Sequence, residues 1–492
     1  MKCKTLIFLI VFVFLSNISK SQSVLNEQKQ DFKDIILDFI SDSVLANSSI
    51  GFYAIDVNSG EEIAEINPDL LLSPASAMKI FTTAAALEIF EPDFTFKTKI
   101  EYSGIIQQNG ILKGNIYIKG GGDPCFMSHN FNSNYYNPDV FLKIVEEIKK
   151  TGIKKVDGSI VGDATYYSDN SAPSTWILAD VANYYGASPW ALSILDNEYK
   201  LYFKTGSEAG DSTFITNQEP KIPFQVFKNF VKTNNISGDQ SVIYGGLFDN
   251  YRIITGELPL QKTNFEVKGA ISDPPLYAAT ILKQILKENG IEVSDSVKAI
   301  PGLKFYSDSS QNRKCIYTIE SPQLKDIIYF TNIKSVNLYA EHLLRQIGLK
   351  NQGIGSNSAG IDCIINFWEK TTGKLLMFDG SGLSRFNAVS AKQLVYVLKY
   401  MKKESKNFDV FYNSLPVASK SGSLAGMFSS SIAENNLRAK SGYMTGVRSY
   451  AGYLKTKSSK ELAFAIIINN YLSNPSRVKE KIEQFLIKLS SL

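Results

Sequence analysis

A serine and a lysine lie three positions apart in the segment SAMK at residues 76–79. On a helix the side chains at i and i+3 share one face, so Ser76 and Lys79 can touch. A lysine amine whose pKa is lowered by burial can accept the proton of a serine hydroxyl and make its oxygen nucleophilic. The pair therefore indicates acyl transfer through a serine ester, with the N–H groups of a helix start available to an oxyanion. The same spacing in SRVK at residues 476–479 lies in a predicted terminal helix, where we interpret it as solvated surface.

A hydroxyl and a carboxamide follow much later in the chain, at Ser335 and Asn337. In one cleft, the serine could relay a proton to a leaving amine and the asparagine could hold a substrate amide. A helix N-cap is the structural alternative for this pair. The triplets SHN at residues 128–130 and SDN at residues 168–170 have the same pattern, but they lie in Asn-rich, loop-like stretches. We therefore favour Ser335.

A cation, a hydroxyl and a glycine stand together at Lys440, Ser441 and Gly442, at the start of a predicted C-terminal strand. The cation and the hydroxyl could bind a substrate carboxylate, while the glycine lets a ligand lie close to the backbone. A second copy at residues 420–422 continues into SLAGMFSSS, which is loop-like. A surface turn is the alternative interpretation of either copy.

Taken in order, Ser-x-x-Lys, Ser-x-Asn and Lys-Ser-Gly form the motif set of penicillin-binding proteins and class A β-lactamases. The sequence resembles the low-molecular-weight class C penicillin-binding proteins, the D-Ala-D-Ala carboxypeptidase/endopeptidases of serine peptidase family S13. The resemblance covers nearly the whole chain and includes LLSPASAMKIFTTAAAL, YIKGGGDP, DGSGLSRFN and LPVASKSGSLAGMF. It implies an α+β fold, in which a penicillin-binding/β-lactamase-like transpeptidase domain (an antiparallel sheet flanked by helices, with a helical subdomain) carries nested β-rich insert domains.

The resemblance also implies residue roles. Ser76 is acylated, Lys79 accepts its proton, and Ser335 and Asn337 line the opposite wall. Lys440 and Ser441, followed by Gly442, bind the terminal carboxylate of the substrate, and the backbone N–H groups of Ser76 and Tyr443 form the oxyanion hole. Three further residues are candidates for contacts with the side chain of the stem-peptide diamino acid: Asp163, Arg385 and Met444.

Three positions depart from the family pattern. Val336 stands where the family usually has Asp, and Ser441 replaces the commoner Thr, but both motifs keep their functional atoms. Tyr443 is bulkier than the small residue often found there, so we expect it to narrow the cleft and to alter substrate preference. Its role is carried by a backbone group, so activity need not suffer.

The activity implied is cleavage of peptidoglycan stem peptides through a Ser76 acyl-enzyme, with β-lactams as covalent inhibitors and with no cofactor or metal. A β-lactamase-like hydrolase and a catalytically inactive peptidoglycan-binding module are the alternatives. A Ser-His-Asp hydrolase would have to use His129 or His342, the only histidines of the chain, and we interpret His342 as a packed or surface residue of a helix. Neither histidine has the spacing of a zinc site.

The elements around these motifs suggest a discontinuous domain. The N-terminal part predicts a helix, the hairpin IGFYAIDV/EEIAEI and a buried helix beginning near Ser76; the C-terminal part predicts two strands and a closing helix. Residues 330–347 and 390–403 are helical in pattern, and both chain ends can complete one sheet. We expect a signal peptide at 1–21, a transpeptidase-like domain at 22–95 and 265–492, and a β-rich insert at 96–264 with an inner domain near 176–234.

The N-terminus has the layout of a signal peptide, because Lys2 and Lys4 precede an apolar run from Leu6 to Leu15. No later stretch is apolar for long enough to predict a membrane span, so we expect a periplasmic or secreted protein. A net charge of +4 over 492 residues, without a dense basic block, argues against nucleic-acid binding. The three cysteines beyond Cys3 allow one disulfide at most, and we expect them to be small buried side chains. The sequence carries no signal of oligomeric state.

Overall fold

Helices and mostly short strands alternate along the chain. The computed structural model describes residues 32–131, 139–169, 172–302 and 312–492. Within these ranges the α-helices are 32–40 (α1), Lys79–Phe90 (α2), Val140–Lys150 (α3), Leu178–Val181 (α4), Pro274–Glu288 (α5), Leu324–Ile333 (α6), Asn337–Gln352 (α7), Asn357–Thr372 (α8), Ala391–Lys403 (α9), Phe408–Ser414 (α10) and Pro475–Ser490 (α11).

The strands of the same ranges are Ser49–Asp56 (β1), Glu62–Ile66 (β2), Lys97–Tyr102 (β3), Ile105–Ile106 (β4), Ile111–Lys113 (β5), Ile116–Lys119 (β6), Lys155–Asp157 (β7), Ile160–Asp163 (β8), Glu198–Lys204 (β9), Phe214–Glu219 (β10), Val226–Asn229 (β11), Lys232–Asn234 (β12), Gln240–Tyr244 (β13), Tyr251–Pro259 (β14), Phe265–Ala270 (β15), Glu292–Val293 (β16), Lys298–Ile300 (β17), Lys314–Glu320 (β18), Leu437–Met444 (β19), Val447–Lys455 (β20) and Glu461–Asn469 (β21). The α+β class predicted from the sequence is confirmed.

One compact unit is built from the two ends of the chain, Met1–Ala77 and Leu415–Leu492, together with Ala388–Glu404. Its described part contains a five-stranded antiparallel sheet in the order β19-β20-β21-β1-β2. The predicted sharing of one sheet by both chain ends is therefore confirmed. β1 lies between its hairpin partner β2 and the C-terminal strand β21, with Phe52 opposite Ile466.

Both faces of this sheet are covered. On one face α1 and α11 pack on the strands, and the Phe485 ring lies 4.4 Å from Phe39 and 4.9 Å from Phe52, between centroids. On the other face lies α9, where the Tyr453 hydroxyl donates to the Leu398 carbonyl at 2.7 Å. Alternate residues of a strand point to opposite faces, so a strand covered on both sides needs a continuous apolar run, which is what AFAIIIN provides in β21.

The second unit comprises Met78–Asn387 and Ser405–Ser414. In its helical part α2 packs with α6, α7, α8 and α10. Helix α2 is buried almost all round, as its Gly- and Pro-free, Ala-rich sequence suggests, and the Trp368 indole of α8 donates to the Phe81 carbonyl at 3.1 Å. This arrangement holds Lys79, the first residue of α2, inside the unit.

In the described ranges, the β-rich part of the second unit contains four small sheets. Two of them have the orders β16-β7-β5-β4 and β17-β8-β6-β3-β18, and the other two are β10-β9-β15 and β11-β14-β12 with β13 on β14. Strands β17 and β18 come after residue 264 in sequence, yet they pair with β8 and β3. The sheets thus join segments on both sides of the predicted insert boundary.

Two local predictions are wrong. The helical pattern over residues 330–347 is interrupted, because α6 ends at Ile333 and α7 begins at Asn337, with Ser335 between them at φ +59°. Cys125 and Cys363 are buried free thiols as expected, but Cys315 is exposed and also free.

The predicted signal peptide and Cys3 lie outside the described residues. Among the helices of the described ranges, none combines the length and apolar character that a membrane span requires.

Candidate active site

The predicted nucleophile lies on a tight turn. A 3₁₀ helix over Ala75–Met78 leads directly into α2 at Lys79, which confirms the prediction of a helix start near Ser76. Ala75 has φ +46°, a conformation that costs a non-glycine residue free energy and is often found at functional sites. Ser76 is partly exposed, whereas Pro74, Ala75 and Ala77 on either side of it are buried. The turn therefore presents the Ser76 hydroxyl while its neighbours hold the backbone.

Strand β19 lies against this turn within the first unit. A Cβ atom placed on Gly442 would come within 2.3 Å of the Pro74 carbonyl oxygen and 3.0 Å of the Ser76 nitrogen. The hydroxyl of Ser449, opposite Gly442 on β20, donates to the same Pro74 carbonyl at 2.5 Å. Only a glycine fits here without moving the serine turn, which gives the glycine of the Lys-Ser-Gly motif a steric reason.

The outer edge of β19 offers backbone donors. β19 is the edge strand of its sheet, and the N–H of Ala439 points away from β20 to the Pro416 carbonyl at 3.0 Å. Because N–H groups alternate along a strand, those of Ser441 and Tyr443 point to the same outer edge. This direction suits the predicted contribution of the Tyr443 N–H to an oxyanion hole.

The side chains of β19 divide between its two faces. Lys440 is fully buried on the face that it shares with Gly442, and its ammonium donates to the Ser441 carbonyl at 2.9 Å. On the other face the Ser441 hydroxyl donates to the Ser423 hydroxyl at 2.6 Å. The exposed Tyr443 ring lies against Arg448, with the guanidinium carbon 4.3 Å from the ring centroid. Tyr443 thus lies on the same face of β19 as Ser441 and on the opposite face from Lys440 and Gly442.

Lys79 is completely buried in the second unit. Its amine donates to the Asn337 carboxamide oxygen at 2.5 Å and to the Ser381 carbonyl at 2.7 Å. Asn337 is the first residue of α7, and its amide nitrogen donates in turn to the Tyr185 carbonyl at 2.8 Å. The structure therefore brings together two predicted site residues, Lys79 and Asn337, that are far apart in sequence.

Two buried carboxylates accompany the lysine. Glu341, one turn along α7 from Asn337, accepts the Ser381 N–H at 2.8 Å and pairs with the buried Arg345 at 3.4 Å. Asp379 begins the DGSGLSRFN segment and accepts bonds from the Trp176 indole at 2.8 Å and the Asn387 amide at 2.8 Å, as well as from two backbone N–H groups. The loop around Asp379 thereby places the Ser381 carbonyl on Lys79.

The pKa values of this cluster are strongly perturbed. Burial lowers the pKa of Lys79 to about 7, although the negative charges of Asp379 and Glu341 oppose that shift. Burial also raises the pKa of Glu341 to about 7, with a further contribution from repulsion by Asp379. An amine with a pKa near neutrality can act as a general base at the pH at which most enzymes work.

Ser335 lies in the left-handed turn between α6 and α7, where it is partly exposed. With Asn337 it lines a cavity of about 520 Å³ within the second unit. Rings and charged groups make up much of the remaining lining: Tyr184, Tyr185, His129, Asp196, Glu198, Lys200, Glu219, Lys268 and Lys334. Ser335 and Asn337, predicted to project into one cleft, thus line the same cavity.

The rival motifs have structural roles. Ser128 donates to Asp196 at 2.8 Å, and Asn130 accepts a bond from Lys334 at 2.7 Å, so SHN supports the cavity wall. In SDN, Asn170 lies outside the described residues. The copy at residues 420–422 forms a turn and a 3₁₀ helix, Gly422–Leu424, with Lys420 exposed. SRVK lies in α11, as predicted.

His342 is a packed residue, one of the two alternatives predicted. It is fully buried, with Nδ1 3.0 Å from the Gly122 carbonyl and Nε2 3.0 Å from the Ser193 hydroxyl. Burial and the positive charge of Arg345 lower its pKa to about 3. His342 therefore stays neutral and serves packing. No group of three or more potential metal ligands occurs in the described part of the chain.

The three residues predicted to contact the diamino acid lie on three different elements. Met444 ends β19 in the first unit, and Arg385 is exposed on the loop that begins at Asp379. Asp163 is buried at the end of β8, where its carboxylate binds Arg313. Arg385 acts instead on the carboxylate of Asp180. Burial raises the pKa of Asp180, and the positive charge of Arg385 partly opposes that rise.

Sequence reasoning missed Glu341 and Asp379. Both lie within segments that were recognised, the helix LYAEHLLRQIG and the segment DGSGLSRFN, but acidic residues in such segments are usually solvated. The signal that could have found Glu341 is its position on a helix one turn from Asn337, because i and i+4 share a face. The position of Asp379 near Lys79 depends on the geometry of its loop, which the sequence does not show.

An α+β fold with Ser-x-x-Lys at the start of a buried helix and Lys-Ser-Gly on a sheet edge defines the penicillin-binding class of serine acyl-transferases. The solved structure of penicillin binding protein 4 (dacB) from Haemophilus influenzae is similar over 92% of this chain and 98% of that chain, with 26% identity and a TM-score of 0.78. Its complex with a novel β-lactam has a TM-score of 0.73, 25% identity and coverage of 92% and 98%.

The sequence comparisons agree with this class. The profile of the D-Ala-D-Ala carboxypeptidase 3 (S13) family matches residues 33–489. The D-alanyl-D-alanine carboxypeptidase of Actinomadura sp. (strain R39) is 28% identical over 469 residues, which cover 92% of this chain and 82% of that relative. The chain therefore belongs to the D-Ala-D-Ala carboxypeptidase 3 (S13) family of serine-type peptidases.

Proposed function

We propose that this hydrolase cleaves peptide bonds next to D-alanine in peptidoglycan stem peptides, as a carboxypeptidase and endopeptidase, through an acyl-enzyme on Ser76. The observation that carries the proposal is the environment of Lys79. Its amine is buried, has a pKa of about 7 and donates to Asn337 and Ser381. A neutral amine has one lone pair, which can accept the Ser76 proton.

In the proposed acylation, the Ser76 oxygen attacks the carbonyl carbon of the penultimate D-alanine as its proton passes to Lys79. The oxyanion is held by the N–H groups of Ser76 and Tyr443, and the outward direction of the Tyr443 N–H supports that role. As the tetrahedral intermediate collapses, the C–N bond breaks and Ser335 relays a proton to the leaving amine. Water then attacks the ester carbonyl carbon and gives up a proton to Lys79. As the bond to the Ser76 oxygen breaks, Lys79 returns that proton to the oxygen and the shortened peptide leaves.

The proposed substrate contacts follow the motifs. Lys440 and Ser441 bind the terminal carboxylate, with Gly442 allowing close approach to the strand. Asn337 holds a substrate amide in place of the Tyr185 carbonyl, while its oxygen keeps Lys79 in position. Arg385 and Met444 contact the diamino acid side chain. Asp163 is engaged with Arg313, so we propose that Asp180 supplies the carboxylate near Arg385.

We also propose inhibition by β-lactams, because a strained cyclic amide would acylate Ser76 by the same steps. The relative from Haemophilus influenzae has been solved in complex with a β-lactam, which supports this part of the proposal. The signal-peptide layout of the first 21 residues supports a periplasmic or secreted location, where peptidoglycan is accessible.

The test is covalent labelling with a fluorescent penicillin. We expect an adduct on Ser76, located by peptide mass spectrometry, and none in Ser76→Ala. The matched control is Ser476→Ala, which removes the serine of the surface Ser-x-x-Lys copy and should label as the unchanged chain does. Labelling that survives Ser76→Ala contradicts the assignment of the nucleophile.

Turnover separates the remaining alternatives. Release of D-alanine from a pentapeptide, cleavage of a cross-linked dimer and hydrolysis of penicillin would be measured side by side. We expect the first two to dominate. Rapid penicillin hydrolysis with little peptide cleavage would indicate a β-lactamase, and labelling without any turnover would indicate a binding module.

A further inference from the structure

A second cavity of the second unit, of about 550 Å³, is rich in lysine. Its walls include the four lysines Lys97, Lys99, Lys119 and Lys350. Among the described residues that line it, none is Asp or Glu. A concave site with several cations and no carboxylate of its own attracts anions.

Two of these lysines lie directly opposite each other. Lys99 on β3 is in register with Lys119 on β6 in the antiparallel pair. Like charges in this position repel and destabilise the sheet. In the part of the chain that the structure describes, the ammonium groups of Lys99, Lys119 and Lys350 form no hydrogen bond or ion pair, whereas Lys97 reaches Glu320 at 3.5 Å.

Another pair of opposed lysines in the same unit shows how two such charges can be neutralised. Lys200 on β9 is in register with Lys268 on β15. There the charges are neutralised, because Lys200 binds Glu266 at 3.1 Å and Lys268 binds Glu198 at 2.7 Å. On its other side Lys119 is in register with Asp163 of β8, but the carboxylate of Asp163 binds Arg313. Among the described residues Lys99 and Lys119 thus form no ion pair like those of Lys200 and Lys268, so their ammonium groups are available to a ligand.

The other walls of the cavity are apolar or hold a buried amide. Four rings line it: Phe90, Phe94, Phe96 and Tyr166. Gln346 also lines it; this residue is 6% exposed, and its Oε1 atom is buried without a hydrogen-bond partner. A ligand that matches these walls carries several negative groups and also an apolar portion that can lie on the rings.

Helix α7 connects the cavity with the proposed catalytic residues. Asn337 is at its start and Gln346 lies nine residues later, roughly 14 Å along the axis at 1.5 Å per residue. That distance is too long for a lysine of the cavity to take part in chemistry near Asn337. It does fit a second point of attachment for an extended polymer.

We propose that this cavity binds the carboxylate groups of a stem peptide that is not being cleaved, and so holds the enzyme on peptidoglycan. This inference rests on the proposed function, because each D-alanine removed leaves a new terminal carboxylate on the product strand. Lys99, Lys119 and Lys350 bind the carboxylates, and the rings contact the apolar parts of the peptide. Carboxylates are favoured over phosphates because every uncross-linked stem peptide ends in a carboxylate, before and after cleavage, so one strand offers several of them.

The test measures binding without cleavage. The full chain carrying Ser76→Ala is titrated with soluble, uncross-linked peptidoglycan strands that bear stem tetrapeptides and lack phosphate polymers. Adding Lys99→Gln and Lys119→Gln should weaken binding by at least about fivefold and reduce its salt dependence. The matched control, Lys149→Gln with Lys287→Gln, removes the same charge from exposed helix positions and should bind as the parent does.

Further measurements keep the outcomes distinct. In the Ser76 background, Lys99→Gln with Lys119→Gln should label with penicillin and cleave a free pentapeptide within about twofold of the unchanged chain, which also shows that it is folded. Strands with chemically amidated carboxylates should bind no better than the double variant. Equal binding by both double variants, or lysine-dependent binding of polyphosphate but not of peptidoglycan strands, overturns the proposal. Lysine-dependent binding by a chain that never labels with penicillin would instead contradict the proposed function.

Discussion

Lys79 illustrates how burial and charge set the chemistry of one side chain. Removal from water penalises its ammonium form, while Asp379 and Glu341 favour that form. Burial prevails, and the pKa falls to about 7 rather than to a value at which the amine could no longer bind a proton. The carboxylates therefore keep the amine able to receive the serine proton and to return it.

The pH dependence of acylation follows from this pKa. A general base must be neutral, and an amine is neutral above its pKa, so we expect the rate to rise with pH through a midpoint near 7. The measurement is the second-order rate constant of penicillin acylation in buffers on both sides of that midpoint. A rate that stays constant across this range contradicts the assignment of Lys79 as the base.

Replacing Glu341 with Gln should move that midpoint to lower pH. The substitution removes a negative charge that raises the pKa of Lys79, so the amine becomes neutral at a lower pH. It also removes one of the two carboxylates that pair with the buried Arg345, the other being Asp169 at 3.8 Å, which should lower the free energy of unfolding by about 1–3 kcal/mol. The acylation profile would be measured below the unfolding temperature, with the exposed Glu480→Gln as control. A midpoint that moves upward contradicts the electrostatic argument.

At the scale of elements, the backbone of β19 at Gly442 must lie close to the turn that carries Ser76. Gly442→Ala places a Cβ 2.3 Å from the Pro74 carbonyl, so the turn that carries Ser76 must shift. We expect the acylation rate to fall by at least about tenfold, with a stability loss of about 1–3 kcal/mol from overpacking. The control is Gly426→Ala, because a Cβ there meets nothing within 4 Å. Normal acylation of Gly442→Ala would show that the contact does not position Ser76.

Local sequence patterns predicted the helices and strands better than they predicted which residues these elements contact. Strands β1, β20 and β21 and the helix after Ser76 follow from apolar runs and breakers, which are properties of neighbouring residues. The break at Ser335 was missed because residues 330–347 contain no Gly or Pro to mark it. The bond from Lys79 to the Ser381 carbonyl joins residues 302 positions apart, and only the folded loop around Asp379 creates it. The motifs thus supplied the residues proposed to react, whereas the groups that perturb the pKa of Lys79 depend on tertiary structure.

At the scale of the whole molecule, the sheet of the first unit depends on the last residues of the chain. Deleting residues 474–492 removes α11 and uncovers the face that it packs on. Five apolar side chains of α11 are buried there: Val478, Ile482, Phe485, Leu486 and Leu489. At about 1.5–3 kcal/mol each, their loss is comparable to the entire stability of a typical domain.

We therefore expect the truncated chain to lose penicillin labelling and to become sensitive to protease. The control is Lys479→Gln, which changes the same helix without touching its buried face. A truncated chain that labels at the normal rate would show that the sheet holds its shape without α11.

The pairing of β1 with β21 also orders events during biosynthesis. A ribosome releases residues 49–56 about 400 residues before residues 461–469, so β1 forms without its central neighbour for that part of translation. Until β21 is made, β19, which carries Lys440, cannot be part of the complete sheet. A prematurely terminated copy therefore lacks the strand that carries the Lys-Ser-Gly motif and the neighbouring strands of its sheet.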